Sequence, residues 1–320
     1  MRSTLLVDGH NLLHRILHVP VFVEMRTESG KGFGGVFGVV KALQKTLSDG
    51  VFTRCMVVWD GGRSARRLAI FPAYKAHRSN PTTDEEAKLY FDNFSLQRRY
   101  LSMVFKKLGI TEITLSGREA DDVIWLVRNM YTEEVLILSE DKDFLQMVDE
   151  TTDLYRPVAD RYVVVGNFAA QTGVKYGSYL LYKSIFGDPS DGISGINGIG
   201  KVTAQKIAND VELTEEWPMS PAPNKDQVLE FCENHKSKRV RDVASNFDIV
   251  LRNLSLVRLG DEEFTTVEML QVRSAMLQPV NKDFDGVYEM FHMMEFKSIE
   301  SDYQRWLIPF RRLRGGDGLV

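Results

Sequence analysis

In the first half of the chain, short apolar runs alternate with stripes of helical spacing. "STLLVDG", "RCMVVWDGG" and "EEVLILSEDKD" read as three buried strands. The first two end in Asp8 and Asp60, and the third is followed at once by Asp141 and Asp143. Helical spacing lies between them. "HNLLHRILH" places Leu12, Leu13, Ile16 and Leu17 on one side, "VFGVVKALQKTL" follows the flexible "ESGKGFGG", and Val123, Ile124 and Val127 mark a helix in "GREADDVIWLV". Apolar strands alternating with helices predict βα units around a mainly parallel central sheet, an α/β fold. Residues 153–165 predict a hairpin with "PVAD" as its turn. From about residue 180 the pattern becomes mostly helical. "TEEWPMSPAPNKDQ" is expected to be a loop, because Pro218, Pro221 and Pro223 interrupt any helix. The expected division is an α/β domain over 1–180 and a helical region over 181–320.

Three predicted strands thus carry aspartate at their carboxyl ends, where a parallel sheet places its ligand site. Glu119, Asp121 and Asp122 sit at a helix start, which tolerates negative charge, and Glu119 and Asp122 share a face. Acids at a helix start are common, and alone they point to nothing more. That reading leaves unexplained the strand-end aspartates and "GDPSDG", with Asp188 and Asp191 three apart. A divalent cation accounts for all nine carboxylates. Magnesium takes hard oxygen ligands, and two ions sharing such a set serve phosphoryl chemistry. No nucleophile elbow, zinc-protease helix or Cys/His pair competes.

Composition adds limits. An apolar content of 43% and a charged content of 26% suit a soluble protein, and no run is long enough to span a bilayer. Asp8 interrupts the short apolar patch of "MRSTLLVDGHN", so no signal peptide is expected. Cys55 and Cys232 form no framework, which predicts buried thiols and a cytoplasmic setting. The net charge of −4 argues weakly against nucleic acid, but setting the nine carboxylates aside leaves 35 acidic against 40 basic residues. "GGRSARRLAIFPAYKAHRSNPTT" has no acid between 61 and 83. Such cations around an acid pit suit a phosphate backbone. Arg63, Arg66 and Arg67 individually read as a solvated face.

"LLVDGHNLLHR", "VVWDGG", "AYKAHR", "GREADDVIWLV", "LSEDKDFLQMV" and "GDPSDGISGINGIGKVTA" occur in the order seen in the 5′-nuclease superfamily. Over residues 4–210 the chain resembles bacteriophage 5′–3′ exonucleases (flap endonucleases) and the 5′-nuclease domain of bacterial DNA polymerase I. The resemblance implies a PIN-like sheet, a helical arch around 75–105 and a helix-hairpin-helix element. It implies a structure-specific 5′ nuclease acting in replication and repair, using two Mg²⁺ with Mn²⁺ able to substitute. Asp60, Glu119, Asp121, Asp122 and Asp141 would surround a first ion. Asp143, Asp188 and Asp191 would surround a second, with Asp141 near both and Asp8 acting through metal-bound water. Lys75 would touch the scissile phosphate, assisted by Arg78. Tyr74 would stack on an unpaired base, and Arg15 would contact a phosphate. The implied substrates are branched or 5′-flap DNA and RNA–DNA primer duplexes. Single-strand-binding and clamp proteins are the replication partners to expect, for a monomer in the cytoplasm (the host's, if phage-encoded).

"GINGIGKVTAQKI" satisfies the first part of a P-loop, but Val202 stands where a magnesium-binding hydroxyl belongs, and no strand precedes it. The family element fits better. Gly195, Gly198 and Gly200 would let backbone amides approach duplex phosphates, Lys201 and Lys206 would add charge, and the hairpin carbonyls would hold K⁺. His10, His14 and His18 form a stripe without an evident acidic partner and read as ordinary helix histidines. Two other classes stay open from sequence: a non-catalytic junction-binding protein and a PIN-type ribonuclease.

Overall fold

A computed structural model describes residues 3–76, 85–131, 133–211 and 225–314. Its centre is a six-stranded sheet, β1 (Thr4–Asp8), β2 (Arg54–Trp59), β3 (Thr111–Thr114), β4 (Val135–Leu138), β5 (Thr152–Arg156) and β6 (Arg161–Val163), in the order β3-β2-β1-β4-β5-β6. The first five run parallel, and β6 closes the predicted hairpin antiparallel to β5.

Alternation explains why these strands read as continuous apolar runs. Successive side chains point to opposite faces, and both faces are covered. Leu6, Met56, Val58, Ile137 and Leu154 enter one core with the helix Ala120–Asn129. Leu5, Val7, Val57, Leu136 and Leu138 enter the other, against the helices Gly9–Ile16, Gly34–Ser48 and Glu85–Leu108 and the C-terminal helices. β3 was not expected: "TEIT" is a short edge strand with half-exposed positions, so no apolar run announces it.

The chain passes from β1 to β2 and β3 on one side, then crosses to β4 on the other. The crevice of an open parallel sheet opens at such a reversal. Asp8 and Asp141 flank it.

The helix Glu85–Leu108 occupies most of the segment expected to be the arch; residues 77–84, including Arg78, lie outside the described residues. Twenty-four helical residues span about 36 Å. Leu101, Val104, Phe105 and Leu108 bury its C-terminal half in the core, whereas Leu89 near its start is 72% exposed. Gln97 anchors the middle, its Oε1 accepting from the Val36 amide at 3.0 Å and its Nε2 donating to the Gly32 carbonyl at 2.7 Å. The region after residue 180 is mostly helical, as expected, and the proline-rich loop lies mostly outside the described residues, with the helix Lys225–Glu233 taking its last positions. No helix among the described residues is long and apolar enough to cross a membrane. Both cysteines are free and buried.

Candidate active site

A cleft of about 1330 Å³ lies over the carboxyl edge of the sheet, and Asp8, Asp60, Glu119, Asp121, Asp141, Asp143 and Asp188 all line it. Local structure aims each one. Asp8 ends β1 and caps the next helix, its Oδ1 accepting from the Asn11 amide at 3.0 Å and its Oδ2 from the Ser139 hydroxyl at 2.9 Å. Asp60 accepts from the Ala120 amide at 2.7 Å, which ties the end of β2 to the start of the acid-bearing helix. Asp141 caps a short 3₁₀ turn through the Asp143 amide at 2.9 Å. Asp188 and Asp191 sit on the turn after the buried helix Tyr179–Phe186.

Two triads emerge. Oxygens of Glu119, Asp121 and Asp122 lie within 4.8 Å of one another, as do those of Asp143, Asp188 and Asp191. Such crowding raises proton affinity. Burial, then the charge of Asp60, pushes Asp8 up to about 7. Burial, then Asp143, drives Asp141 well above the usual carboxylate range. The donors are hard carboxylate oxygens without sulfur, a set suited to magnesium or manganese.

Three protein cations are wedged among these acids. Arg67 Nη1 donates to Glu119 Oε2 and Asp122 Oδ2, each at 2.6 Å, and Nη2 donates to Asp122 Oδ1 at 2.8 Å. Lys75 Nζ meets Glu119 Oε1 at 2.9 Å and Asp191 Oδ2 at 3.8 Å, so it bridges the two triads. Its backbone is left-handed (φ 54°), and its amide donates to the Asp191 carbonyl at 3.0 Å. Lys183 Nζ lies 2.9 Å from Asp143 Oδ1 and also pairs with Asp188. Burial works against the Asp188 carboxylate, yet Lys183 and Ser190 hold it below its ordinary value. Burial likewise opposes the Lys183 ammonium, but Asp143 and its neighbours raise its pKa.

Several expectations change. Tyr74 is not open to a base: it is 2% exposed, its ring lies under the Lys75 ammonium, and its hydroxyl donates to Glu119 Oε2 at 2.9 Å. The acid it satisfies pulls it inward. Arg67 is not on a solvated face, because a helix capped by Ser64 turns it into the triad. Arg66 bonds Glu262 and the Ser255 carbonyl. His10 does have an acidic neighbour, with Nδ1 3.3 Å from Asp60 Oδ2. Lys183 was overlooked, although a lone cation inside the apolar "YLLYKSIF" is a usable signal.

Arg15 and Lys201 line the cleft. Arg15 is exposed, its Nε donating to Asn11 Oδ1 at 3.2 Å. The helices Tyr179–Phe186 and Lys201–Asp210 flank the glycine hairpin. Gly195 packs so closely that a Cβ would lie 2.1 Å from the Phe186 carbonyl oxygen. Gly198 (φ 78°) has open space before it, Gly200 precedes the second helix, and Lys206 is exposed on that helix.

A mainly parallel α/β sheet with an acid cleft at its carboxyl edge and a helical region beside it is the PIN-like fold. More narrowly, the chain belongs to the family of the 5'-3' exonuclease, N-terminal resolvase-like domain, whose model matches residues 3–174. It is similar to DNA polymerase I of Thermus caldophilus, 27% identical over 304 residues, covering 93% of this chain and 33% of that protein. The chain therefore spans about a third of the length of such relatives. It is 27% identical over 239 residues to a 5'-3' exonuclease of Buchnera aphidicola (69% of this chain, 78% of the other). The D15 protein of bacteriophage T5, co-crystallised with metal ions, shares the fold with a TM-score of 0.63 at 20% identity, covering 92% of this chain and 99% of that one. A second structure, of the T5 D15 flap endonuclease in a pseudo-enzyme-product complex with DNA and metal ions, aligns with a TM-score of 0.59 at 19% identity (96% and 99%).

Proposed function

We propose that the chain is a structure-specific 5′ nuclease, a 5′–3′ exonuclease and flap endonuclease, that hydrolyses DNA phosphodiesters with two Mg²⁺. The observation that carries this is the meeting of seven carboxylates, from strand ends, a helix start and turns, in one cleft, four of which belong to the two triads that Asp122 and Asp191 complete. Asp60, Glu119, Asp121 and Asp141 would hold one ion, and Asp143, Asp188 and Asp191 the other. When bound, such a pair lowers the pKa of the attacking water and offsets charge on the leaving oxygen. Lys75, already between the triads, is placed to exchange Glu119 for a phosphate oxygen and to stabilise the charge that develops there. Asp8, held by Asn11 and Ser139, orients water. The O–P bond from water forms as the P–O3′ bond breaks, leaving a 5′-phosphate and a 3′-hydroxyl.

Duplex DNA would rest on the 195–200 hairpin, with Lys201 and Lys206 near its phosphates and K⁺ held by hairpin carbonyls. The 5′ strand would run past Arg15 and the exposed start of the helix Glu85–Leu108, with Arg78 contributing from its segment. RNA annealed to DNA is an expected substrate, and Mn²⁺ an expected substitute. A 5′-labelled flap duplex incubated with Mg²⁺ should be cut near the junction, and chelator should stop it. Intact substrate beside an active control nuclease defeats the enzyme reading and leaves the junction-binding one. Preference for single-stranded RNA over flap DNA would favour the PIN-type ribonuclease.

A further inference from the structure

We propose that Asp122 is a positioning residue and not a metal ligand: as the buried member of the first triad it makes a two-pronged pair with Arg67 that fixes Glu119. This rests on the metal-dependent reading above and departs from the role implied by resemblance.

Both oxygens of Asp122 are occupied by one guanidinium, in the two-pronged geometry that Arg offers a carboxylate. Asp122 and Arg67 are each 1% exposed. Neither lines the cleft, although Asp121, one residue earlier, does. Helix geometry accounts for the difference, since consecutive positions point about 100° apart. Arg67 is fixed from behind as well, its Nε donating to the Leu256 carbonyl at 2.9 Å. Guanidinium does not deprotonate in proteins, so turning Asp122 toward an ion would strand a buried charge.

The pair also selects the useful oxygen of Glu119. Arg67 and Tyr74 both hold Oε2, leaving Oε1 to Lys75, which does line the cleft. Glu119 is thus presented with one oxygen pinned and the other exchangeable.

The test is Mn²⁺ binding to the full chain, read from loss of the free-ion paramagnetic signal, in the wild type and in Asp121→Asn, Asp122→Asn, Arg67→Met and the double variant Asp122→Asn/Arg67→Met. The wild type should bind two ions. Asp121→Asn should lose the first. Asp122→Asn should keep two, weakened by about 10–100-fold, the range for residues that support ligands. Arg67→Met with Asp122→Asn should bind Mn²⁺ more tightly than Asp122→Asn alone, because the stranded cation is gone. If Asp122→Asn binds one ion, or the double variant binds no better than the single one, the assignment is wrong. Wild type that binds none would instead defeat the metal-dependent reading. Should the variants not fold, wild-type crystals soaked in Mn²⁺ decide: an Asp122 oxygen at about 2.1–2.2 Å from an ion overturns the proposal, and an intact Arg67 pair beside occupied sites supports it.

Discussion

The two acid triads solve the same electrostatic problem with different cations. Arg67 backs the first from within the core, where it cannot lose its proton and no solvent reaches it. Lys183 sits beside the second and lines the cleft with Asp143 and Asp188. A guanidinium held by Asp122 and the Leu256 carbonyl is part of the framework. An ammonium on a flexible stem can swing away when a stronger cation arrives. The first triad is therefore organised in advance, whereas the second, on the proposed function, would exchange its ammonium for a metal ion.

Four outcomes would sharpen or break that contrast. The largest concerns Asp141, which both triads influence through Asp143 and Asp121. Asp141→Asn should bring flap cutting below detection while leaving flap binding in Ca²⁺ near wild type, measured by fluorescence anisotropy. Loss of binding as well would make it a structural residue. Next, Lys75→Ala should slow single-turnover cleavage by ~10² or more, the scale of losing one preorganised charge. An unchanged rate would remove Lys75 from the reaction.

Stability separates the triads directly. Arg67→Met should destabilise the fold by ~3–5 kcal/mol, because it leaves buried carboxylates without their partner. Saturating Ca²⁺ should restore little of that. Lys183→Met should cost less, and Ca²⁺ should restore most of it, as a bound ion takes over the ammonium's role. Equal recovery in thermal melts would erase the distinction drawn here.

The smallest effect is on pH dependence. Asp8 holds its proton up to about 7 in the folded chain and loses it near 3.8 when unfolded. The folded state thus binds more protons in that window, so metal-free protein should lose stability as pH rises from about 4 through 7. Asp8→Asn should flatten this slope, and Ca²⁺ should raise the wild-type melting temperature more at pH 8 than at pH 5. A Ca²⁺ shift independent of pH would contradict the crowding argument.

What was legible in sequence follows from geometry. β1, β2 and β4 are buried on both faces, so they had to be apolar runs, and their terminal aspartates could be placed on one edge from topology alone. The glycine hairpin was readable because its turn and close packing need residues without side chains. Arg67 was hidden because "RSARRLA" contains three similar cations, and only the Ser64-capped helix decides which one turns inward. Tyr74 was hidden for a related reason: its partner Glu119 is distant in sequence, and a hydroxyl reveals its burial only once that partner is in place.

The left-handed turn at Lys75 has a mechanical consequence. A non-glycine residue held there costs ~1–3 kcal/mol, and its amide is sewn to the carbonyl of Asp191, on the loop that leads into the glycine hairpin. If, as proposed, a nucleic acid rests on that hairpin, this backbone hydrogen bond would couple its position to the Lys75 ammonium. Seating a double helix and aiming the lysine would then be one movement.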